Sequence, residues 1–326
     1  MMRSVHGSES HDEADPSAGS PTVDVSLIPS VMAKLQSARA SNQIDDSLAS
    51  ERLIGAILGR KVELGPARVD QILTYAREHG VRFGAAAVAL RLVTQDQVLH
   101  ALSEQFGYLY ASEDRRKLMP ELVGLNQPFS LQAEAVREIR SQVMMRVFTG
   151  VKPRPALAVV SPSSRDGKTF FSANLAVALA QVGGRTLIVD ADLRGPRQHL
   201  VFNVENTTGL SSVLAGHVDS KVIQQVPETP NLFIMPVGIT PPNPLELIER
   251  PTFGILLREL TSKFDYVVVD TPAAVYGVDA QVIAARCGAA LVVARKNESR
   301  VGALQKLVSA LSDSTARMAG VIVNEY

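Results

Sequence analysis

Six short apolar runs set what the larger part of this chain can fold into. LAVVS ends at Ser161, TLIVD at Asp190, LFIMPVG at Gly238, YVVVD at Asp270, ALVVA at Ala294 and GVIVN at Asn324. Each run is continuous rather than alternating, so both faces of each strand are expected to be buried. Helical stretches separate the runs. That order predicts an α/β fold, a parallel sheet with helices on both faces, over residues 129–326. Sheets of this kind bind ligands at the carboxyl ends of their strands.

The first run leads into SPSSRDGKT, residues 161–169, and then into the helical stretch FFSANLAVALAQVGG. Strand, turn, Gly-Lys-Thr and helix in succession form the context of a phosphate-binding P-loop. Successive backbone N–H groups and the helix N-terminus cradle phosphates. The predicted cradle comprises Ser164, Arg165, Asp166, Gly167, Lys168, Thr169 and Phe170. Lys168 reaches the β- and γ-phosphates, and the Thr169 hydroxyl ligates Mg²⁺. The expected cofactors are ATP and Mg²⁺. The loop departs from the G-x-x-x-x-G-K-T pattern in one place. Pro162 stands at the first glycine, which fixes φ and removes one N–H donor.

Two acidic runs complete the candidate site. LIVDADLR (187–194) puts Asp190 and Asp192 at one strand end, and VVVDTPA (267–273) puts Asp270 at another. Such acids hold Mg²⁺ and its waters, or take a proton from an attacking hydroxyl. Any one of them alone could be an ordinary strand-ending acid. Beside a P-loop the three point to chemistry.

The remainder of the chain is organised differently. Residues 1–48, rich in Ser, Asp, Glu and Pro, are expected to form a largely disordered tail. Residues 49–110 read as a small all-α module with an internal repeat. IGAILGRKVELGPARVDQIL from Ile54 aligns with FGAAAVALRLVTQDQVLHAL from Phe83, an offset of 29. Matched apolar positions imply two helix–turn–helix units on one core. Pro66 suits a first helical turn, and Thr94 with Gln97 forms a capping-box pattern. Residues 111–128 read as a linker.

Composition excludes several classes. The 33 basic residues cancel the 33 acidic ones, which argues against bulk electrostatic binding of nucleic acid. The single cysteine, Cys287, allows neither an internal disulfide nor a thiolate zinc cluster, and suits a reducing cytoplasm. No apolar run reaches the roughly 18 residues of a membrane helix, and the N-terminus has no signal-peptide pattern. The expected location is cytoplasmic, with any membrane association supplied by a partner.

The trio SRDGKT, LIVDADLR and VVVDTPA resembles the Walker A, Walker A′ and Walker B motifs of bacterial tyrosine kinases. These are P-loop proteins of polysaccharide export, unrelated to eukaryotic kinases. EAVREIR (134–140), DLRGPRQH (192–199), GLSSVLAG (209–216) and PPNPLELI (241–248) agree with that family. Together with the helical module, the chain is most similar to the EpsG-type chain-length-determinant protein tyrosine kinases of exopolysaccharide operons. The resemblance implies an ATP-dependent protein tyrosine kinase, autophosphorylating in trans, that regulates polymer length and export. It implies catalytic roles for Lys168, Asp190 and Asp192. One of the two acids is the base for the tyrosine hydroxyl and the other a magnesium partner. It assigns the metal to Thr169, Asp192 and Asp270, and the adenine to Asn324.

Glu134, Arg137 and Arg140 match an E-x-x-R-x-x-R motif that builds a ring-shaped oligomer in the family. From the residues alone they read rather as a solvated charged face beside the apolar stripe Val136, Ile139, Val143 and Val147, and only the resemblance turns them into an interface. The family's membrane-spanning half is absent here, so the implied partner is a separate membrane-embedded, Wzz-like chain-length-determinant protein. That partner would hold the kinase at the inner membrane. Arg165 stands where the family has glycine, and Ala273 where it has proline. The family's tyrosine-rich tail is reduced to Tyr326, the candidate phosphoacceptor. The other tyrosines are scattered at 75, 108, 110, 266 and 276. An ATP-gated scaffold without phosphotransfer remains the alternative. A MinD/ParA-like ATPase is disfavoured, because its signature lysine position holds Ser163.

The helical repeat resembles the N-terminal module of type II secretion and pilus ATPases, some of which bind cyclic di-GMP. Arg82, Gly84, Leu90, Leu92 and Gln105 fit the pattern in the second copy. The other reading is a protein-docking module.

Overall fold

A computed structural model describes residues 54–60, 64–106, 117–150, 153–217, 221–227 and 229–325. The expected tail, residues 111–116 of the expected linker and Tyr326 lie outside the described residues. The structure divides into two compact units between Val98 and Leu99.

The sequence repeat returns as a structural one. Helix α1 (54–60) is followed by α2 (Pro66–His79), α3 (Phe83–Ala89) and α4 (Gln95–Phe106). The third and fourth helices begin 29 residues after the first and second. Ile57 and Ala86, Leu58 and Ala87, Leu64 and Val93 occupy matched positions, and all are buried. Pro66 opens α2. Thr94 N–H donates to Gln97 Oε1 at 2.8 Å, and Gln97 N–H donates to Thr94 Oγ1 at 3.2 Å. That reciprocal pair is the capping box at the start of α4. Gly84 has a steric reason: a Cβ there would stand 2.5 Å from Val98 Cγ1.

The larger unit is built on a seven-stranded sheet in the order β3-β4-β2-β5-β1-β6-β7. Before the sheet come α5 (Val123–Asn126) and α6 (Leu131–Arg146). Next in chain order are β1 (Ala156–Val160), α7 (Lys168–Gln181), β2 (Thr186–Asp190), α8 (Gln198–Val201), α9 (Leu210–Leu214), β3 (Gln224–Gln225) and β4 (Leu232–Met235). The chain continues through α10 (Pro244–Glu249), α11 (Pro251–Lys263), β5 (Tyr266–Asp270), α12 (Asp279–Cys287), β6 (Gly288–Arg295), α13 (Val301–Ser312) and β7 (Arg317–Asn324). Strands β1, β2 and β5 are buried along their whole length. Period-2 alternation sends their side chains into two cores. Leu157, Val159, Ile188 and Val268 pack with α6 and α7 on one face. Ala158, Val160, Leu187, Val189, Val267 and Val269 pack with α11, α12 and α13 on the other.

Three details differ from the sequence expectation. Strand β3 is a two-residue edge that pairs antiparallel with β4, too short to show any periodicity. Strand β7 is an edge strand with Val321 and Val323 exposed, so its apolar run is not buried on both faces. Met119, Leu122 and Leu125, read as part of a linker, are buried in the same core as α7. Pro120, Gly124 and Pro128 punctuate that stretch and hide its apolar contribution. Among the described residues, no helix is long and apolar enough to cross a membrane. Cys287 is buried, and burial pushes its thiol pKa up.

Candidate nucleotide-binding site

The phosphate loop leaves β1 and enters α7 through Gly167, whose φ is 99°. That left-handed conformation favours glycine. A Cβ on Gly167 would also stand 2.2 Å from Asn324 Nδ2. Arg165 adopts φ 65°, in the left-handed region that favours glycine, without being glycine. Ala273, at the family's proline, holds φ −71°, close to the value proline imposes. The turn after β5 is laced to the loop. Ala274 N–H donates to Ser161 O at 2.9 Å, and Val275 N–H donates to Pro162 O at 3.1 Å.

Ser164, Arg165, Gly167, Lys168, Thr169 and Phe170 line a cavity of about 590 Å³. Asp192, Arg194, Gly195, Arg197 and Tyr276 complete it. Lys168 Nζ lies 3.4 Å from Asp192 Oδ2, and both side chains are largely buried. Asp192 Oδ1 accepts from the N–H groups of Arg194 at 3.2 Å and Gly195 at 2.9 Å. Arg194 is clamped in turn by Asp279, Nε to Oδ1 at 3.0 Å and Nη2 to Oδ2 at 3.2 Å.

The other predicted residues take different positions. Asp166 does not line the cavity. Its Oδ2 accepts from Ser163 N–H at 2.7 Å, and its Oδ1 accepts from the Ser299 hydroxyl at 2.9 Å, so it shapes the loop. Asn324 Nδ2 donates to Asp166 O at 3.1 Å, which brings β7 against the loop. Asp190 is wholly buried beneath the cavity. Its oxygens accept from three N–H groups, those of Asp192 (3.1 Å), Arg197 (3.1 Å) and Gln198 (2.9 Å). Asp270 faces it directly across β2 and β5. Glu134, Arg137 and Arg140 lie together on α6, with Arg137 Nε donating to Glu134 Oε2 at 2.9 Å. They line a separate cavity of about 380 Å³ with Phe129. Val136 and Val143, from the apolar stripe of the same helix, are buried.

Gln198 was not singled out from the sequence, although it lies within DLRGPRQH. Its Nε2 donates to Thr169 O at 3.0 Å, Ser172 Oγ at 2.8 Å and Asp270 Oδ2 at 2.9 Å. A carbonyl and a carboxylate can only accept, so the amide orientation follows from its partners. Gln198 thus ties the loop helix to both acidic strand ends, its side chain to Asp270 and its backbone N–H to Asp190.

The electrostatics of the site favour a cation. Burial, with the charge of Asp270 added, pushes Asp190 well above the usual carboxylate range. Burial also raises Asp270, against the opposing pull of Lys168. Asp270 Oδ1 is buried with no hydrogen-bond partner among the described residues. No cluster of three or more His, Cys, Asp or Glu side chains closes round a point among those residues. The protein thus offers a hydroxyl and carboxylates from one side. Mg²⁺ suits that arrangement, since it keeps waters and shares its shell with phosphates. Thr169, which lines the cavity, and the unpartnered Asp270 Oδ1 are donors of the kind such an ion takes, whereas both Asp192 oxygens already meet N–H groups or Lys168.

The raised acids make a stability prediction. A carboxyl raised by folding adds stability fully below its unfolded value, and that contribution is lost as pH rises through the folded value. At neutral pH the Asp190/Asp270 pair therefore works against the nucleotide-free fold. Asp270→Asn is expected to stabilise that form by about 1–2 kcal/mol, because it removes a buried charge. Its advantage over the wild type should shrink as pH falls toward the carboxylate range, while Mg-ATP binding is lost. Melting curves across pH check this; a lower melting temperature for Asp270→Asn at neutral pH would overturn it.

Fold and loop define a nucleotide-binding P-loop protein. A family model for the CobQ/CobB/MinD/ParA nucleotide binding domain matches residues 157–326. The chain is 33% identical over 204 residues to a putative tyrosine-protein kinase, CapB, of Staphylococcus aureus, covering 61% of this chain and 87% of CapB. It is 31% identical over 210 residues to the tyrosine-protein kinase Wzc of Salmonella typhimurium, covering 64% of this chain but only 29% of Wzc. Among solved structures, the chimerical protein CapA2B2 superposes with a TM-score of 0.59 at 30% identity, over 70% of this chain and 98% of that one. The kinase domain of the Escherichia coli tyrosine kinase ETK gives 0.59 at 30%, over 68% and 91%. The chain belongs to the CobQ/CobB/MinD/ParA nucleotide-binding family and, within it, to the bacterial tyrosine-protein kinases.

Proposed function

We propose that this chain is an ATP-dependent protein tyrosine kinase that regulates exopolysaccharide polymerisation, chain length and export. The observation that carries the reading is the convergence of Lys168, Thr169 and Asp192 on one cavity, with Asp270 beneath it. In this mechanism the loop N–H groups and Lys168 hold the β- and γ-phosphates. Thr169 and Asp270 would hold Mg²⁺, which when bound neutralises charge on the phosphate oxygens, leaving Asp192 to act as the base. Asp192 receives the proton of the incoming tyrosine hydroxyl. Asp190 is less suited to that task, since it is wholly buried and does not line the cavity.

The finer parts of the proposal follow the resemblance to EpsG-type kinases. A membrane-embedded chain-length-determinant protein activates the kinase and recruits it to the inner membrane. Copies assemble through Glu134, Arg137 and Arg140, and phosphorylate Tyr326 in trans. Residues 49–110 form the secretion-ATPase-like module, with cyclic di-GMP as its candidate ligand. The structural repeat in α1–α4 supports the module reading.

The test is phosphotyrosine formation by the purified full chain with Mg-ATP, with and without the cytoplasmic tail of the partner. Signal that maps to Tyr326 or to the partner supports the kinase. Bound ATP with no phosphotyrosine anywhere would replace it with the nucleotide-gated scaffold. Arg165, which lines the cavity in a left-handed conformation, is the observation favouring that second reading.

A further inference from the structure

Arg197 lines the nucleotide cavity beside Lys168, Thr169 and Asp192. It is held at both ends. Its backbone N–H donates to Asp190 Oδ2 at 3.1 Å. Its guanidinium is gripped by Glu121, Nη1 to Oε2 at 2.8 Å and Nη2 to Oε1 at 2.7 Å. Glu121 lies 76 residues upstream, in the segment that precedes α6.

That segment is itself fastened to the phosphate-loop helix. Asn174 Nδ2 donates to Glu121 O at 2.9 Å, and Gln181 Nε2 donates to Gly124 O at 3.1 Å. Asn174 and Gln181 are two turns apart and share one face of α7. Between them Val177 meets Gly124 so closely that a Cβ on Gly124 would stand 3.2 Å from it. Met119, Leu122 and Leu125 anchor the segment in the core. Glu121 is therefore a fixed carboxylate rather than a mobile surface acid.

A bidentate carboxylate uses only part of a guanidinium fork, and the remaining N–H groups are available to an anion. Arg197 enters from the loop that carries Asp192, whose carboxylate meets the Lys168 ammonium. It thus stands on the side of the cavity where Lys168 is proposed to meet the β- and γ-phosphates. We infer that Arg197 contacts the γ-phosphate of bound ATP, and that Glu121 is the positioning residue that holds it there. The inference rests on the proposed function only in that the cavity takes ATP.

A γ-phosphate contact makes a prediction that packing does not: ATP must suffer and ADP must not. The full chain is titrated with Mg²⁺ and either a non-hydrolysable ATP analogue or ADP. Arg197→Ala is expected to weaken the ATP analogue by about 10-fold or more, the size of a lost charge-assisted hydrogen bond. ADP affinity should hold within about twofold, because no contact to the inner phosphates is lost. Glu121→Gln should show the same selective loss to a smaller degree, and Glu121→Asp should recover part of it. Equal losses for both nucleotides, or unchanged ATP affinity in Arg197→Ala, would overturn the inference. A wild-type chain that binds neither nucleotide would instead sink the kinase proposal, and this inference with it.

Discussion

Lys168→Met is expected to lose nearly all ATP-dependent phosphotyrosine formation. Lys168 is the first residue of α7, and its ammonium is held in the cavity 3.4 Å from Asp192. It is the buried loop cation proposed to meet phosphate charge as it shifts during transfer. Methionine matches its length and volume but carries no charge. Removing one such stabilising group costs about 10²–10³ in rate. The buried acids also lose their countercharge, since Lys168 is the main influence opposing the raised pKa of Asp270. The variant should therefore fold but bind Mg-ATP weakly. Initial rates of phosphotyrosine formation, measured beside nucleotide affinity, test this. A variant within about tenfold of the wild-type rate, well short of the loss expected of such a group, would mean that the phosphates are held elsewhere.

Gly167→Ala carries the largest structural penalty expected of any single methyl in the site. Two separate costs coincide. A φ of 99° is strained for alanine, and the new Cβ would meet Asn324 Nδ2 at 2.2 Å. Asn324 is poorly placed to retreat, because its carbonyl accepts from Lys296 N–H at 2.8 Å and its amide holds Asp166 O. The expected loss is about 2–3 kcal/mol of stability. A displaced loop N–H would lower nucleotide affinity by about 100-fold, the scale of a misplaced binding group. Asn324→Ala in the Gly167→Ala background separates the costs. It should relieve the steric part and leave the backbone part, recovering melting temperature more than affinity. No recovery at all would show that the clash with β7 contributes nothing.

The two penalties at Gly167 also show how differently the parts of the site were legible. A glycine before Lys-Thr at a strand–helix junction announces a left-handed turn from the sequence alone. That Asn324 would press against it could not be read, because 158 residues separate Asn324 from Asp166. Similarly, Asp190, Asp192 and Asp270 were recognisable as strand-ending acids. Their unequal roles were not. Asp190 spends its oxygens on the turn into α8, Asp192 opens onto the cavity, and Asp270 keeps one oxygen unpartnered.

The helical repeat was legible for the same local reason as the loop. Matched apolar positions at an offset of 29 express a short-range period, and the Thr94–Gln97 capping box spans three residues. Residues 117–127 misled for the opposite reason. Prolines and glycines mark the segment as a connection, yet Met119, Leu122 and Leu125 complete the core.

The sequence by itself determined the strand–helix alternation, the phosphate loop, its acidic neighbours and the repeat, since each is encoded in residues a few positions apart. Only the tertiary structure decided which side chains cross-link the site. Gln198 to Asp270, Glu121 to Arg197 and Ser299 to Asp166 span 72, 76 and 133 residues. No periodicity or turn chemistry connects positions so far apart. They meet because parallel pairing of β2, β5, β1 and β6 brings distant strand ends to one rim, where burial penalises polar groups left without a partner.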